Sequence, residues 1–269
     1  MQIESVDITD KSAIRSYHSV DRIISAKFGS DADNYHGYAD IIRSMQLNCN
    51  FSDEKRVAEA NLDLFVGGSD TVSTTIEWAF AELANNPKIM KKVQEEVRRI
   101  VGEKSMIEEN DLNQMKYMKC VIKETLRLHP PGPFLIPRET ANSVEIKGYH
   151  IPKKVTVYIN SYAIHRDPKL WDNAEEFIPE RFEGNQQVDY KVIDFQLIPF
   201  GFGRRGCPGI SFGVASFEYM MANLLYWFDW KVPNNNNNNG ALIDMSEFNG
   251  LSVTKKQPLY LEPMPYLIC

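Results

Sequence analysis

One cysteine of this chain stands in a setting suited to chemistry. In the run Pro199-Phe200-Gly201-Phe202-Gly203-Arg204-Arg205-Gly206-Cys207-Pro208-Gly209, glycines recur on both sides of Cys207. Glycine lets a backbone approach a flat ligand closely and adopt conformations closed to other residues. Pro208 suits the first turn of a helix, which predicts a helix from Pro208 and puts Cys207 at or near its amino terminus. There the helix dipole and free backbone N–H groups favour a thiolate, the form that binds metals. Arg205, two residues earlier, can pair with a carboxylate of the ligand. The plainer alternative is a buried structural cysteine ahead of a core helix.

Other groupings carry charge or hydroxyl chemistry. Gly67-Gly68-Ser69-Asp70-Thr71 sets an acid and an alcohol inside a helical pattern. Each glycine there costs roughly 1 kcal/mol relative to alanine, which implies that bulk is avoided. Glu124 and Arg127 lie three apart on one helix face, but Glu95–Arg98 and Glu96–Arg99 share that spacing. Such pairs are usually solvated decoration. Glu124 is set apart by its neighbours, His129-Pro130-Pro131 just after it and Phe177-Ile178-Pro179-Glu180-Arg181-Phe182 further on.

The elements that must position these residues read as mostly helical. A capped start near Ser52 opens a helical pattern through Leu62, Phe65, Val66, Ile76, Phe80 and Leu83, which stops near Asn85-Asn86-Pro87. A second helix runs from Pro87 to about Val101, with Ile89, Val93, Val97 and Ile100 on its apolar side, and Gly102 ends it. A third spans Tyr117 to Leu128 and is closed by Pro130-Pro131. Alternation at Val144 and Ile146, a turn at Gly148, and alternation at Val155, Val157 and Ile159 predict short strands. Residues 165–205 lack periodicity, and so long a meander points to function. The last helix has one apolar face, through Ile210, Val214, Phe217, Met221, Leu224 and Phe228. Asn234 to Asn239 is a low-complexity loop, and Leu251 to Leu261 reads as a closing hairpin. Residues 1–53 read weakly, with a loop over Gly29 to Gly37.

Composition narrows the class. The 269 residues are 43% hydrophobic and 25% charged, enough apolar material for a sizeable core. A net charge of -6 argues against general nucleic-acid binding. Cysteines at 49, 120, 207 and 269 form no C-x-x-C pair, which leaves zinc ribbons and dense disulfide frameworks unsupported and fits a reducing compartment. The polar, acidic start MQIESVDITDKSA is not expected to be a signal peptide or anchor, and no uncharged apolar run reaches the ~18 residues of a spanning helix.

Taken together, Phe200, Gly203, Arg205, Cys207 and Gly209 fill the pattern F-x-x-G-x-R-x-C-x-G, which resembles the haem-ligand loop of the cytochrome P450 family. The resemblance implies haem b (iron protoporphyrin IX) with the Cys207 thiolate as axial ligand, a ligation that favours O–O cleavage. It implies that Phe200, Gly201 and Gly209 lie against the haem, and that Arg138 and Arg205 serve its propionates. Gly67 to Thr71 resembles the oxygen-binding groove of the family's central helix, where an acid and alcohol matching Asp70 and Thr71 relay protons; Val72 replaces the more usual hydroxyl residue. Glu124, Arg127 and Arg181 resemble the family's buried charge network, a structural device. His165, in Ala163-Ile164-His165-Arg166-Asp167-Pro168, belongs by resemblance to a turn motif and is rejected as an iron ligand.

Arg204-Arg205 and Phe228-Asp229-Trp230 look most like plant A-type members of specialised metabolism, and the resemblance is firm from about Phe51 to Leu261. It implies a mainly α fold with small β-sheets, the cytochrome P450 fold truncated at its N-terminus. Residues 1–50 are a poorly matched remnant and 51–269 the C-terminal haem-binding part. The implied activity is a monooxygenase that uses O2 and electrons from NADPH-cytochrome P450 reductase to insert one oxygen atom into a lipophilic small molecule. The implied location is the cytosolic face of the endoplasmic reticulum membrane.

The family's membrane anchor, proline-rich hinge and W-x-x-x-R helix are not found in the chain: Trp78, Trp171, Trp227 and Trp230 are followed four places on by Glu82, Glu175, Lys231 and Asn234. Expected to survive of the pocket are Phe65–Thr75, the loop Gly132–Ile136 and the tail turn Asn249–Val253. A truncated or degenerate member without activity is the competing reading. A haem protein for electron transfer or sensing would leave Asp70 and Thr71 without a purpose.

Overall fold

The computed structural model describes residues 54–184, 188–190, 195–233, 242–250 and 252–266, with side chains from residue 67 onward. The chain divides into two compact units, 1–65 and 66–269, and the second is the one described below. The expected readings of Gly29 to Gly37 and of the asparagine run fall outside the described residues.

Helices dominate: α1 Glu54–Asn85, α2 Pro87–Val101, α3 Glu109–Gln114, α4 Lys116–Leu128, α5 Ser161–Ile164 and α6 Ile210–Trp227. The main core lies where α1, α2, α4 and α6 meet, built on Phe80, Leu83, Val93, Val97, Val121, Ile122, Met221 and Leu225. The predicted end of α1 and the predicted boundaries of α2 and α4 agree with the structure to within about two residues, and the expected start near Ser52 lies outside the described residues. α2 is turned slightly from the expected face. Met90, Val93, Val97 and Val101 are buried, and Ile89 and Ile100 flank them.

Two charged residues read as solvated decoration have other work. Both carboxylate oxygens of Glu96 accept amides at the start of α4, from Tyr117 at 2.9 Å and Met118 at 2.8 Å. This supplies acceptors to free N–H groups where the helix has none of its own. Arg98 reaches across to the Phe228 carbonyl at 3.1 Å and to Asp229 at 2.9 Å.

The strands form four antiparallel pairs: β1 Arg138–Glu139 with β4 Thr156–Val157, β2 Val144–Ile146 with β3 Tyr149–Ile151, β5 Phe228–Lys231 with β8 Glu262–Pro265, and β6 Glu247–Asn249 with β7 Val253–Lys255. Of the predicted alternation at 155–159 only Thr156–Val157 is strand. The expected tail hairpin is displaced. Its turn joins β6 to β7, while β8 pairs with β5 directly after α6. Phe228 thereby leaves the helical face and opens a strand.

Candidate functional site

The cysteine loop is closed by its own backbone. Ile198 accepts the Gly201 N–H at 3.0 Å, Gly203 accepts that of Gly206 at 3.0 Å, and Phe200 accepts that of Cys207 at 2.9 Å. Gly201 and Gly203 have φ of 69° and 76°, the left-handed region that glycine enters without steric cost. The Phe200 ring anchors the loop, packed edge-on against Tyr190 at 5.3 Å and against the main core. Cys207 is exposed.

Helix α6 begins at Ile210, not at Pro208 as expected. Gly209 is its cap residue, and its carbonyl accepts the Gly213 N–H at 2.8 Å. Pro208 therefore lies in the turn before the helix, with Cys207 still close to its amino end. A methyl group at Gly209 would lie 3.9 Å from the Cys207 sulfur, in ordinary van der Waals contact, which places Gly209 beside the thiol. The Arg138 guanidinium donates to the Arg205 carbonyl at 3.1 Å, which brings both arginines to the loop. An exposed thiol, bare glycine backbone and two arginines can hold a flat, acidic metal macrocycle at its sulfur face and its carboxylate edge.

Asp70 and Thr71 lie half-buried in α1. The Thr71 hydroxyl donates to the Gly67 carbonyl at 2.6 Å, and Thr75 repeats this bond to Thr71 at 2.7 Å. A hydroxyl that donates once retains two acceptor lone pairs, so Thr71 can still hold a donor in place. A methyl group at Gly67 would meet no described atom within 4 Å. No described neighbour therefore requires glycine there.

Glu124, Arg127 and Arg181 come together at one carboxylate. Arg127 forks onto Glu124 through two bonds of 2.8 Å, and Arg181 adds one of 3.0 Å. The Ile178 amide donates to the same carboxylate at 2.8 Å. Arg127 also donates to the carbonyls of His165, Ala174 and Glu176 at 2.7, 2.6 and 3.1 Å. Glu124 and Arg127 are fully buried. The meander is thus tied to α4 by its backbone.

His165 extends this tie to the cysteine loop. Its Nε2 accepts the Ile198 N–H at 2.9 Å, which leaves Nδ1 to carry the proton toward the Arg127 carbonyl at 3.2 Å. Sequence reasoning gave His165 a place in a turn and missed this role. Its partners lie 33 and 38 residues away, beyond any local pattern. Burial pushes the ring pKa down to about 3, so the folded protein keeps His165 neutral. The depressed value means that the unfolded chain binds this proton more readily. Stability is therefore whole above the ordinary value of 6.5 and is lost as pH falls toward 3. The loss should approach about 1.4 kcal/mol per pH unit. In urea titrations at several pH values, His165→Gln should flatten that slope by one proton; an unchanged slope would refute the assignment.

Comparison with known proteins places this architecture. The family model described as Cytochrome P450 matches residues 11–261. The chain belongs to the cytochrome P450 family. It is 57% identical over 204 residues to a phenylacetaldehyde oxime monooxygenase of Prunus mume, covering 76% of this chain and 39% of that protein. It is 51% identical over 245 residues to cytochrome P450 71A1 of Persea americana, covering 90% and 48%. It is 44% identical over 255 residues to tabersonine 16-hydroxylase 2 of Catharanthus roseus, covering 93% and 49%. The chain spans about half the length of the curated relatives it matches. A zebrafish cytochrome P450 structure with progesterone superposes with a TM-score of 0.66 at 28% identity, covering 76% of this chain and 44% of that one. The expected helix-rich fold with small sheets and the likeness to plant members both stand. Among the described residues, no helix of this P450 is long and apolar enough to cross a membrane.

Proposed function

We propose that this P450 chain is the haem-binding part of a monooxygenase that inserts one atom of O2 into a lipophilic small molecule of plant specialised metabolism. The observation that carries the reading is Cys207, exposed at the close of a glycine loop just before α6. Haem b fits the residues present. Cys207 would ligate the iron, Phe200, Gly201 and Gly209 would face the ring, and Arg138 and Arg205 would meet the propionates. When bound, haem supplies the redox centre at which dioxygen is activated, with the thiolate raising its electron density. Electrons would come from NADPH-cytochrome P450 reductase, at the cytosolic face of the endoplasmic reticulum membrane.

The chain's own residues supply protons and apolar surface. Thr71, half-buried beside Asp70, would hold a proton donor through its free lone pairs while Asp70 replenishes the proton. The network of Glu124, Arg127 and Arg181 holds the meander, and through His165 the cysteine loop. Phe134 and Ile136, exposed in the loop after Pro131, offer apolar contact of the kind that favours lipophilic ligands.

Labelled dioxygen tests the reading. With reductase, NADPH and an apolar substrate such as the oxime used by the Prunus relative, one labelled atom should enter the product and the other water. Thr71→Ala should bind that substrate nearly normally and divert reducing equivalents to peroxide or water. Relay groups contribute ~100- to 10,000-fold to rate, and coupling should drop by a matching order. Product without label, or unchanged coupling in Thr71→Ala, would count against it.

A further inference from the structure

Side chains along α1 hold the backbone of the carboxy-terminal tail. Asn85 accepts the Ile243 N–H at 2.7 Å and donates to the Ile243 carbonyl at 3.2 Å. The Trp78 indole N–H donates to the Val253 carbonyl at 2.9 Å, and Glu77 accepts the Leu259 N–H at 3.0 Å. The middle contact is the most elaborate. Trp78 is wholly buried, and the His129 ring lies flat on it, 4.2 Å away and 4° from parallel. His129 Nε2 meets the Glu82 carboxylate at 2.7 Å, while its Nδ1 is buried without a hydrogen-bond partner among the described residues. Glu82 is thus the polar anchor of that ring.

Val253 is pinned from both sides. Its carbonyl takes the Trp78 N–H, and its own N–H donates to the Pro131 carbonyl at 3.0 Å. Pro131 opens the loop that carries Leu135, whose side chain would lie 3.7 Å from a methyl group placed at Gly201. Leu135 has φ of 52°, a left-handed conformation that is strained for a side-chain-bearing residue. Such strain persists only where the surroundings over-determine it. Here the Leu135 N–H is held by Gly132 at 3.0 Å, and the Pro133 carbonyl by the Ser161 hydroxyl at 2.8 Å and the Tyr162 N–H at 3.1 Å. Contacts therefore run from Glu82 through His129, Trp78 and Val253 to the segment that begins at Pro131. Arg138 at the end of that segment donates to the Arg205 carbonyl in the loop of Cys207 at 3.1 Å.

We propose that Trp78, His129 and Glu82 form a positioning clasp for ligand recognition. Through the Val253 backbone they fix the tail turn against the Gly132–Ile136 loop, and so set which lipophilic ligands fit beside Cys207. The inference rests on the reading of Cys207 as haem ligand and of these two segments as ligand-facing. Because α1 grips the tail by backbone groups, side chains of the tail turn are free to vary in specificity without loosening its placement.

The test uses the haem-loaded full chain, titrated with imidazole and with phenylimidazole and read by the Soret shift. Imidazole needs only the iron, whereas phenylimidazole also needs apolar walls at the right distance. Trp78→Phe keeps a ring for His129 and removes the N–H. It should weaken phenylimidazole about fivefold and leave imidazole within about twofold, the scale of one net hydrogen bond. Hydrogen exchange at 252–255 should rise, with the β2–β3 hairpin unaffected. Glu82→Gln, which still offers His129 an acceptor, should behave as wild type, and Glu82→Leu should reproduce Trp78→Phe. Equal weakening of both ligands, or unchanged exchange at Val253 in Trp78→Phe and Glu82→Leu, overturns the clasp. Absence of any Soret shift in the wild type overturns the haem-thiolate reading instead, and the exchange pattern then decides the clasp alone.

Discussion

Cys207→Ser is expected to abolish the far-shifted Soret band of the reduced carbon monoxide complex, while Cys120→Ser leaves it intact. The two cysteines differ in everything that governs ligation. Cys207 is exposed at the end of a glycine loop. Cys120 is buried with Trp171, Ala174, Phe182 and Leu197. Burial pushes the Cys120 thiol up to about 11, so it stays protonated at neutral pH, and a thiol is a poor metal ligand. Serine at 207 keeps the size and the loop's backbone bonds but offers no thiolate. The measurement is a carbon monoxide difference spectrum of each haem-loaded variant. A band that survives Cys207→Ser and disappears in Cys120→Ser would reverse the assignment.

The second large effect concerns stability. Glu124→Ala should cost roughly 3–5 kcal/mol, because it strands a fully buried guanidinium that has no other carboxylate partner among the described residues. Arg127→Ala should cost a similar amount by a different route. It leaves Glu124 to Arg181 and the Ile178 amide, and removes the donor from three carbonyls of the meander. The double change removes both charges at once and should cost much less than the two losses summed. Denaturant titration of the four proteins gives the coupling. Simple additivity would mean that the pair does not act as a unit.

Much of this was legible in the sequence, for a definite reason. A helix satisfies its backbone between residues four apart, so α1, α2 and α4 announce themselves through local periodicity, caps and prolines. Glycines that must take left-handed conformations are equally local, and Gly201 and Gly203 beside Cys207 are visible as such. Strands were harder. β5 finds β8 more than thirty residues later, a pairing that no short-range alternation encodes.

The sequence by itself marked α1, α2, α4 and the body of α6 and the glycine-rich setting of Cys207, while the family resemblance singled out Glu124, Arg127 and Arg181 as one network. Only the tertiary structure decided how these are held. His165 reaches the Ile198 amide, Glu96 caps α4, and Trp78 holds Val253, each by a side chain bonded to a distant backbone group. A backbone amide or carbonyl is the same at every residue, so the acceptor or donor leaves no mark in the sequence. The positions of such contacts follow from packing, which brings together groups that the chain order keeps apart.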